Sequence, residues 1–153
     1  MQPVTRWRPQ PTMGSGAEIP ARQRSTPPPI NISLPEWHAI TRARANLLLV
    51  GSESATRAAL ATIKPYLVRP HWRCDARTGV PLPLREGTLI LHKVSALSRE
   101  QQSLFFRGLD EVGERFQVVS VTDTPLFPLI EQGTFLADLY YRLNVVLIEL
   151  PLT

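Results

Sequence analysis

The period of hydrophobic and polar positions changes repeatedly along this chain, and each change predicts an element. Asn46-Leu47-Leu48-Leu49-Val50, Thr88-Leu89-Ile90-Leu91, residues 116–121 and residues 145–150 are short, nearly continuous apolar runs, the pattern of strands covered on both faces. Residues 68–73 are a weaker candidate. Between these runs the apolar positions recur at helical spacing. Ser33-Leu34-Pro35-Glu36 has the form of a capping box and predicts a helix to about Arg44, with Leu34, Trp37 and Ile40 inward. Gly51 stops the first run, and a helix is expected from Ala55 to about Lys64, closed by Pro65. Ser98-Arg99-Glu100-Gln101 repeats the capping form ahead of a helix with Leu104, Phe105, Leu109 and Val112 inward. A short helix from Leu126 precedes Gly133, and Phe135, Leu139 and Leu143 mark another before the last strand.

Five strands alternating with helices, without an Asn-Gly hairpin signal, predict crossover connections. The fold class is therefore α/β: a three-layer sandwich around a mainly parallel five-stranded sheet. In such sheets ligands bind beyond the carboxyl ends of the strands. Those ends carry residues 51–58, His92-Lys93 and Thr122-Asp123.

Composition divides the chain in two. Residues 1–32 hold seven of the fifteen prolines and read as a disordered, mildly basic tail; residues 33–153 form the domain. Arg6, Arg8, Arg22 and Arg24 allow no more than weak DNA contact, and Pro27 to Pro29 could form a short polyproline II ligand. Cys74 is the only cysteine, which excludes an internal disulfide and suits a reducing cytoplasm. No apolar run reaches the roughly 18 residues of a membrane span. Residues 36–99 hold ten basic and four acidic side chains, whereas residues 100–153 hold three and eight. This asymmetry suits a phosphate-facing first half, or a protomer that meets its neighbour head to tail.

The wording of two segments goes further. Gly87-Thr88-Leu89-Ile90-Leu91 resembles the GTLFL strand, and residues 133–144 the G-x-F-R-x-DLYYRLN segment, of the AAA+ core of sigma-54-dependent bacterial transcriptional activators. The resemblance covers about residues 45–153. It implies a P-loop NTPase fold with strand order 5-1-4-3-2, ATP as the family's nucleotide, and activator protomers and sigma-54 RNA polymerase as its partners.

Against that family the chemical positions depart. A phosphate loop needs Gly-x-x-x-x-Gly-Lys-Ser/Thr, so that backbone N–H groups wrap the phosphates and lysine meets their charge. Here Gly51, Ser54, Thr56, Arg57 and Ala58 occupy that stretch, with Thr56 at the second glycine and Arg57 at the lysine. The Asp-Glu pair that holds Mg²⁺ and polarises water is His92-Lys93, and loss of the base alone should cost about 10²–10⁴ in rate. Asp123 stands at the polar sensor. Of two arginine fingers, Leu136 replaces the first and Arg142 keeps the second, four residues from Asp138. Only twelve residues separate Cys74 from Gly87, too few for the GAFTGA loop that grips sigma-54, and the chain ends at Thr153, where a helical lid would follow.

The expectation is a sigma-54-interaction-type module without ATP hydrolysis or a resident cofactor, acting by binding an intact activator. A residual nucleotide-binding switch and a decayed gene product with no partner are the alternatives. No catalytic residue and no metal site is expected: His71, Cys74, Asp75 and His92 match no zinc spacing.

Overall fold

The computed structural model describes residues 5–7, as backbone, and residues 32–152. Six parallel strands form one sheet: β1 (Thr5–Trp7), β2 (Leu47–Val50), β3 (His71–Asp75), β4 (Gly87–His92), β5 (Phe116–Thr122) and β6 (Val146–Glu149). Their order is β1-β6-β2-β5-β4-β3. The five strands expected from the sequence therefore lie in the expected 5-1-4-3-2 order. β1 is an addition, and it corrects the reading of residues 1–32 as wholly unstructured. Thr5 pairs with Val146 and Trp7 with Ile148, so a segment too short to bury a core of its own is held by an existing strand. The remainder of that segment lies outside the described residues.

Five helices cover the sheet: α1 (Leu34–Ala43), α2 (Glu53–Ile63), α3 (Arg99–Val112), α4 (Phe127–Glu131) and α5 (Ala137–Leu143). Alternation within the strands feeds two cores. Leu47, Leu49, Ile90, Val121 and Ile148 face one core with Trp37 and Ile63. Leu48, Leu89, Leu91 and Val118 face the other with Phe105, Leu109, Leu139 and Leu143. All seven residues of β5 are buried, as its central place in a doubly covered sheet requires.

Both capping boxes form. Ser33 N–H donates to Glu36 Oε2 at 2.7 Å while Glu36 N–H donates to Ser33 Oγ at 3.3 Å. Ser98 N–H donates to Gln101 Oε1 at 2.8 Å, and Gln101 N–H returns to Ser98 Oγ at 3.1 Å.

Three details differ from the pattern reading. The second strand starts at His71 rather than residue 68, because Pro70 has no N–H and Val68 N–H is taken by the Gln117 side chain at 3.3 Å. Leu34 is 54% exposed: it sits in the first turn beyond Ser33, and Ile32, just before the cap, is buried instead. Leu104 is 41% exposed, since the inner face of α3 is set by Gln102, Phe105 and Leu109 at spacings of three and four. Among the described residues no helix is long and apolar enough to cross a membrane.

Candidate functional site

The carboxyl ends of β2, β3, β4 and β5 open, together with one face of α2, onto a cleft of about 600 Å³. Gly51, Thr56, Arg57, His92, Lys93 and Asp123 all line it, so the topology gathers most of the residues singled out at the strand ends. Ser54 and Ala58 lie on α2 outside its lining.

How β2 leads into α2 decides what this cleft can hold. Gly51 N–H donates to Thr122 O at 3.0 Å and Ser52 N–H to Pro151 O at 2.8 Å, which pins the turn to the neighbouring strands. A side chain on Gly51 would put its Cβ 2.6 Å from Leu150 Cβ. The glycine is thus required by packing against the last strand. Ser52 is then the N-cap, its Oγ accepting Ala55 N–H at 3.2 Å, and α2 begins at Glu53, two residues before the position expected from the sequence. Thr56 N–H donates to Ser52 O at 2.9 Å, and its buried hydroxyl donates to Ser52 O and Glu53 O at 3.0 and 3.1 Å. Ser54 Oγ is 3.3 Å from Ser52 Oγ, and Ala58 O accepts from Thr62 Oγ1 at 3.2 Å.

Residues 53–58 are therefore helix, where a phosphate loop is an open backbone cradle. The N–H groups of Ala55 and Thr56 already have acceptors. Arg57 points its fork at Glu53, 3.4 Å away, with both side chains about three-quarters exposed.

The end of β4 is equally altered. His92 is half-buried, and Arg73 Nη2 lies 3.4 Å from its Nε2. Burial, helped by the Arg73 and Lys93 charges, holds the His92 pKa below its ordinary value against the opposing pull of Asp75 and Glu53. Lys93 takes a left-handed backbone, φ 58° and ψ 42°, and its Nζ lies 3.8 Å from Asp123 Oδ2. Arg77 grips Asp75 through Nη2 at 2.7 Å and pulls that carboxyl down to about 2.

An imidazole and an ammonium thus stand where a metal-binding carboxylate pair would have to be. No group of three or more His, Cys, Asp or Glu side chains that could hold a metal occurs among the described residues. The residues present do not fit Mg²⁺-nucleotide in the manner of a phosphate loop: the Ala55 and Thr56 donors are already paired and the metal ligands are replaced.

Asp138 and Arg142 lie away from the cleft on α5. The sequence spacing suggested that they pair with each other. Instead Arg142 reaches across to α3, where Nη1 lies 2.5 Å from Asp110 Oδ1, Nη2 donates to Leu109 O at 3.1 Å, and the guanidinium carbon sits 6.0 Å from the centre of the Phe106 ring. Asp138 stays exposed.

Two side-chain amides that sequence reasoning passed over, Gln102 buried and Asn46 half-buried, hold this unit in place. Gln102, fully buried, donates from Nε2 to Leu97 O and Thr134 O at 2.9 and 3.0 Å and accepts Leu136 N–H at 2.7 Å. It clamps the 133–136 turn onto α3. Asn46 donates to Arg142 O at 2.8 Å and accepts Val118 N–H at 2.9 Å, tying the end of α5 to the sheet. The signal for Gln102 was its spacing with Phe105 and Leu109 on the inward face of α3. Asn46, at a strand edge, left none.

Comparison with known proteins agrees with this architecture. The family described as the sigma-54 interaction domain matches residues 36–152. The probable regulatory protein HrpR of Pseudomonas syringae pv. syringae is 36% identical over 89 residues, which cover 51% of this chain and 28% of that protein. WtsA of Pantoea stewartii subsp. stewartii is 35% identical over 87 residues, covering 50% of this chain and 27% of its own length. The chain thus spans little more than a quarter of these relatives. Among solved structures, the P-loop NTPase domain of a sigma-54 activator from E. coli superimposes with a TM-score of 0.57 at 24% identity, over 76% of this chain and 91% of that one, a likeness of fold. With the expected strand order in place and the family match running through both cores, the chain belongs to the sigma-54 interaction domain family of bacterial transcriptional regulators.

Proposed function

We propose that this chain is a sigma-54-interaction-type AAA+ module that works by binding an intact activator protomer and does not itself hydrolyse ATP. The observation that carries this reading is the first turn of α2. The stretch that would have to wrap phosphate is a capped helix whose Ala55 and Thr56 donors are already paired, whereas residues 133–144, clamped by Gln102 and Asn46, are fully folded. The chemical half of the family's machinery is altered, and the half bearing Arg142 is kept. A protomer of this kind can occupy a place beside an active neighbour without contributing turnover. The same replacements at His92 and Lys93 support the absence of hydrolysis, since neither side chain offers a carboxylate to a metal or to water.

The test is the ATPase rate of an intact sigma-54 activator with increasing amounts of this chain. The expected result is no turnover by the chain alone, a dose-dependent change in the activator's rate, and co-sedimentation of the two. An unchanged rate together with no detectable association would refute the proposal.

A further inference from the structure

Helix α3 is buried on one side only, and its outward side carries charge that nothing in the chain answers. Glu100, Leu104, Arg107 and Glu111 recur at spacings of four, three and four, so they form one exposed stripe opposite Gln102, Phe105 and Leu109. Leu104 stands in this stripe 41% exposed. Leu82, 45% exposed, lies beside it: its Cδ2 would be 3.0 Å from a Cβ on Gly108, one turn beyond Leu104. The glycine thus lets a loop leucine rest against the helix and widen the apolar strip. Glu100 stands one turn before Leu104 and Arg107 three residues after it. Neither charge has a hydrogen bond or an ion pair among the described residues.

An acid and a base at the two ends of an apolar centre complement their own copy when the helix is inverted. Across a two-fold axis between Ser103 and Leu104, Glu100 of each copy falls opposite Arg107 of the other, and the two Leu104 side chains meet beside the axis. A parallel arrangement would instead set Glu100 against Glu100 and Arg107 against Arg107. In the antiparallel one, Glu111 projects past the first turn of the opposing helix, where an acid is favourable.

We infer that α3 docks antiparallel on the α3 of a second copy of this chain, with two Glu100–Arg107 pairs flanking a centre made by Leu104 and Leu82. The contact is isologous, unlike a head-to-tail order. It uses a different side of α3 from Phe106 and Asp110, which hold Arg142, so it stands or falls separately from docking on an activator. One helix face with an exposed charged rim belongs to the small, transient class of interface, under about 1,200 Å². Association is therefore weak and reversible.

The experiment is sedimentation of the full chain from micromolar to millimolar concentration, alongside Glu100→Arg, Arg107→Glu and Leu104→Glu. All three positions are exposed, so the variants should keep the fold, and thermal melts will verify that. A reversible monomer–dimer equilibrium is expected, weakened roughly fivefold or more in each variant and weakened also by salt. An equimolar mixture of Glu100→Arg and Arg107→Glu should regain the dimer, because each copy then offers the charge that the other lacks. So should the double variant Glu100→Arg/Arg107→Glu, to within about twofold of the unmodified chain. The inference falls if the chain stays monomeric at millimolar concentration, if the single variants associate as well as the unmodified chain, or if neither the mixture nor the double variant recovers association.

Discussion

At the scale of single residues, two glycines that look alike in the sequence have different physical reasons for being there. A Cβ on Gly87 would lie 2.4 Å from Pro70 O and 2.6 Å from the Trp72 ring, at a φ of 131° that side chains rarely adopt. A Cβ on Gly133 would meet nothing within 4 Å, and only its φ of 78° resists substitution. Gly133→Ala should therefore cost about 1 kcal/mol, and Gly87→Ala roughly 3 kcal/mol or more, since backbone must move to make room. Urea denaturation midpoints measure the difference; equal losses would show that the Gly87 contact relaxes freely. Titration is equally local. The Asp75 carboxyl, hydrogen-bonded by Arg77, is held at about 2 against an ordinary 3.8, so its contribution is complete above 3.8 and fades as pH falls toward 2. His92 runs in the same direction for another reason. Burial holds its folded pKa below 6.5, so the unfolded chain takes up the proton first and stability declines as pH drops through 6.5. Carbon-detected NMR should place the Asp75 midpoint near 2 and return it toward the ordinary range in Arg77→Ala.

At the scale of elements, the entry into α2 separates what the sequence made legible from what it did not. Sequence comparison with a phosphate loop marked Thr56 and Arg57 as wrong for the chemistry, yet it placed the start of the helix only at Ala55. Ser52 decides otherwise. A serine followed by Glu53, Ser54 and Ala55 can cap a helix at once, and Gly51 lets the turn close against Leu150. The strands were legible because covered strands are continuous apolar runs, whereas their order came only from the family resemblance carried by residues 87–91 and 133–144. The start of β3 was misplaced because the effect of Pro70 and the competition of Gln117 for Val68 N–H are tertiary facts. Arg142 was read with Asp138 because spacing along one helix is visible in a sequence, whereas Asp110 comes from another helix 32 residues away. It follows that installing acids at the end of β4 cannot rebuild the site. His92→Asp/Lys93→Glu should show no ATP turnover above the unmodified chain in a coupled assay, since the cradle N–H groups stay locked in α2. Turnover in that variant would mean that the first turn of α2 opens far more readily than its hydrogen bonds suggest. The cap itself should be worth about 1 kcal/mol, read as the loss in Ser52→Ala.

At the scale of the whole molecule, the sheet has two unlike edges. β3 is a five-residue edge strand with charged residues at Arg73 and Asp75, and Pro70 just before it, features that discourage pairing with another chain. β6 would be the opposite edge, and it is apolar at Val146, Leu147 and Ile148. β1 covers it, three residues paired in parallel from Thr5–Val146 to Trp7–Ile148, while β2 holds its other side from Leu47–Val146 to Val50–Glu149. The stability of β6 thus rests mainly on β2 and the two cores. The role left to β1 is to satisfy an edge that would otherwise invite a strand from elsewhere. A chain lacking residues 1–31 should therefore keep its fold, with hydrogen-exchange protection unchanged in β4 and β5 and reduced at residues 146–149. The same truncation should raise the tendency to associate with increasing concentration, measured by light scattering. Undiminished protection in β6 would show that its edge amides are guarded by something other than β1. Global loss of protection would show that three edge pairings contribute more to the sheet than their number implies.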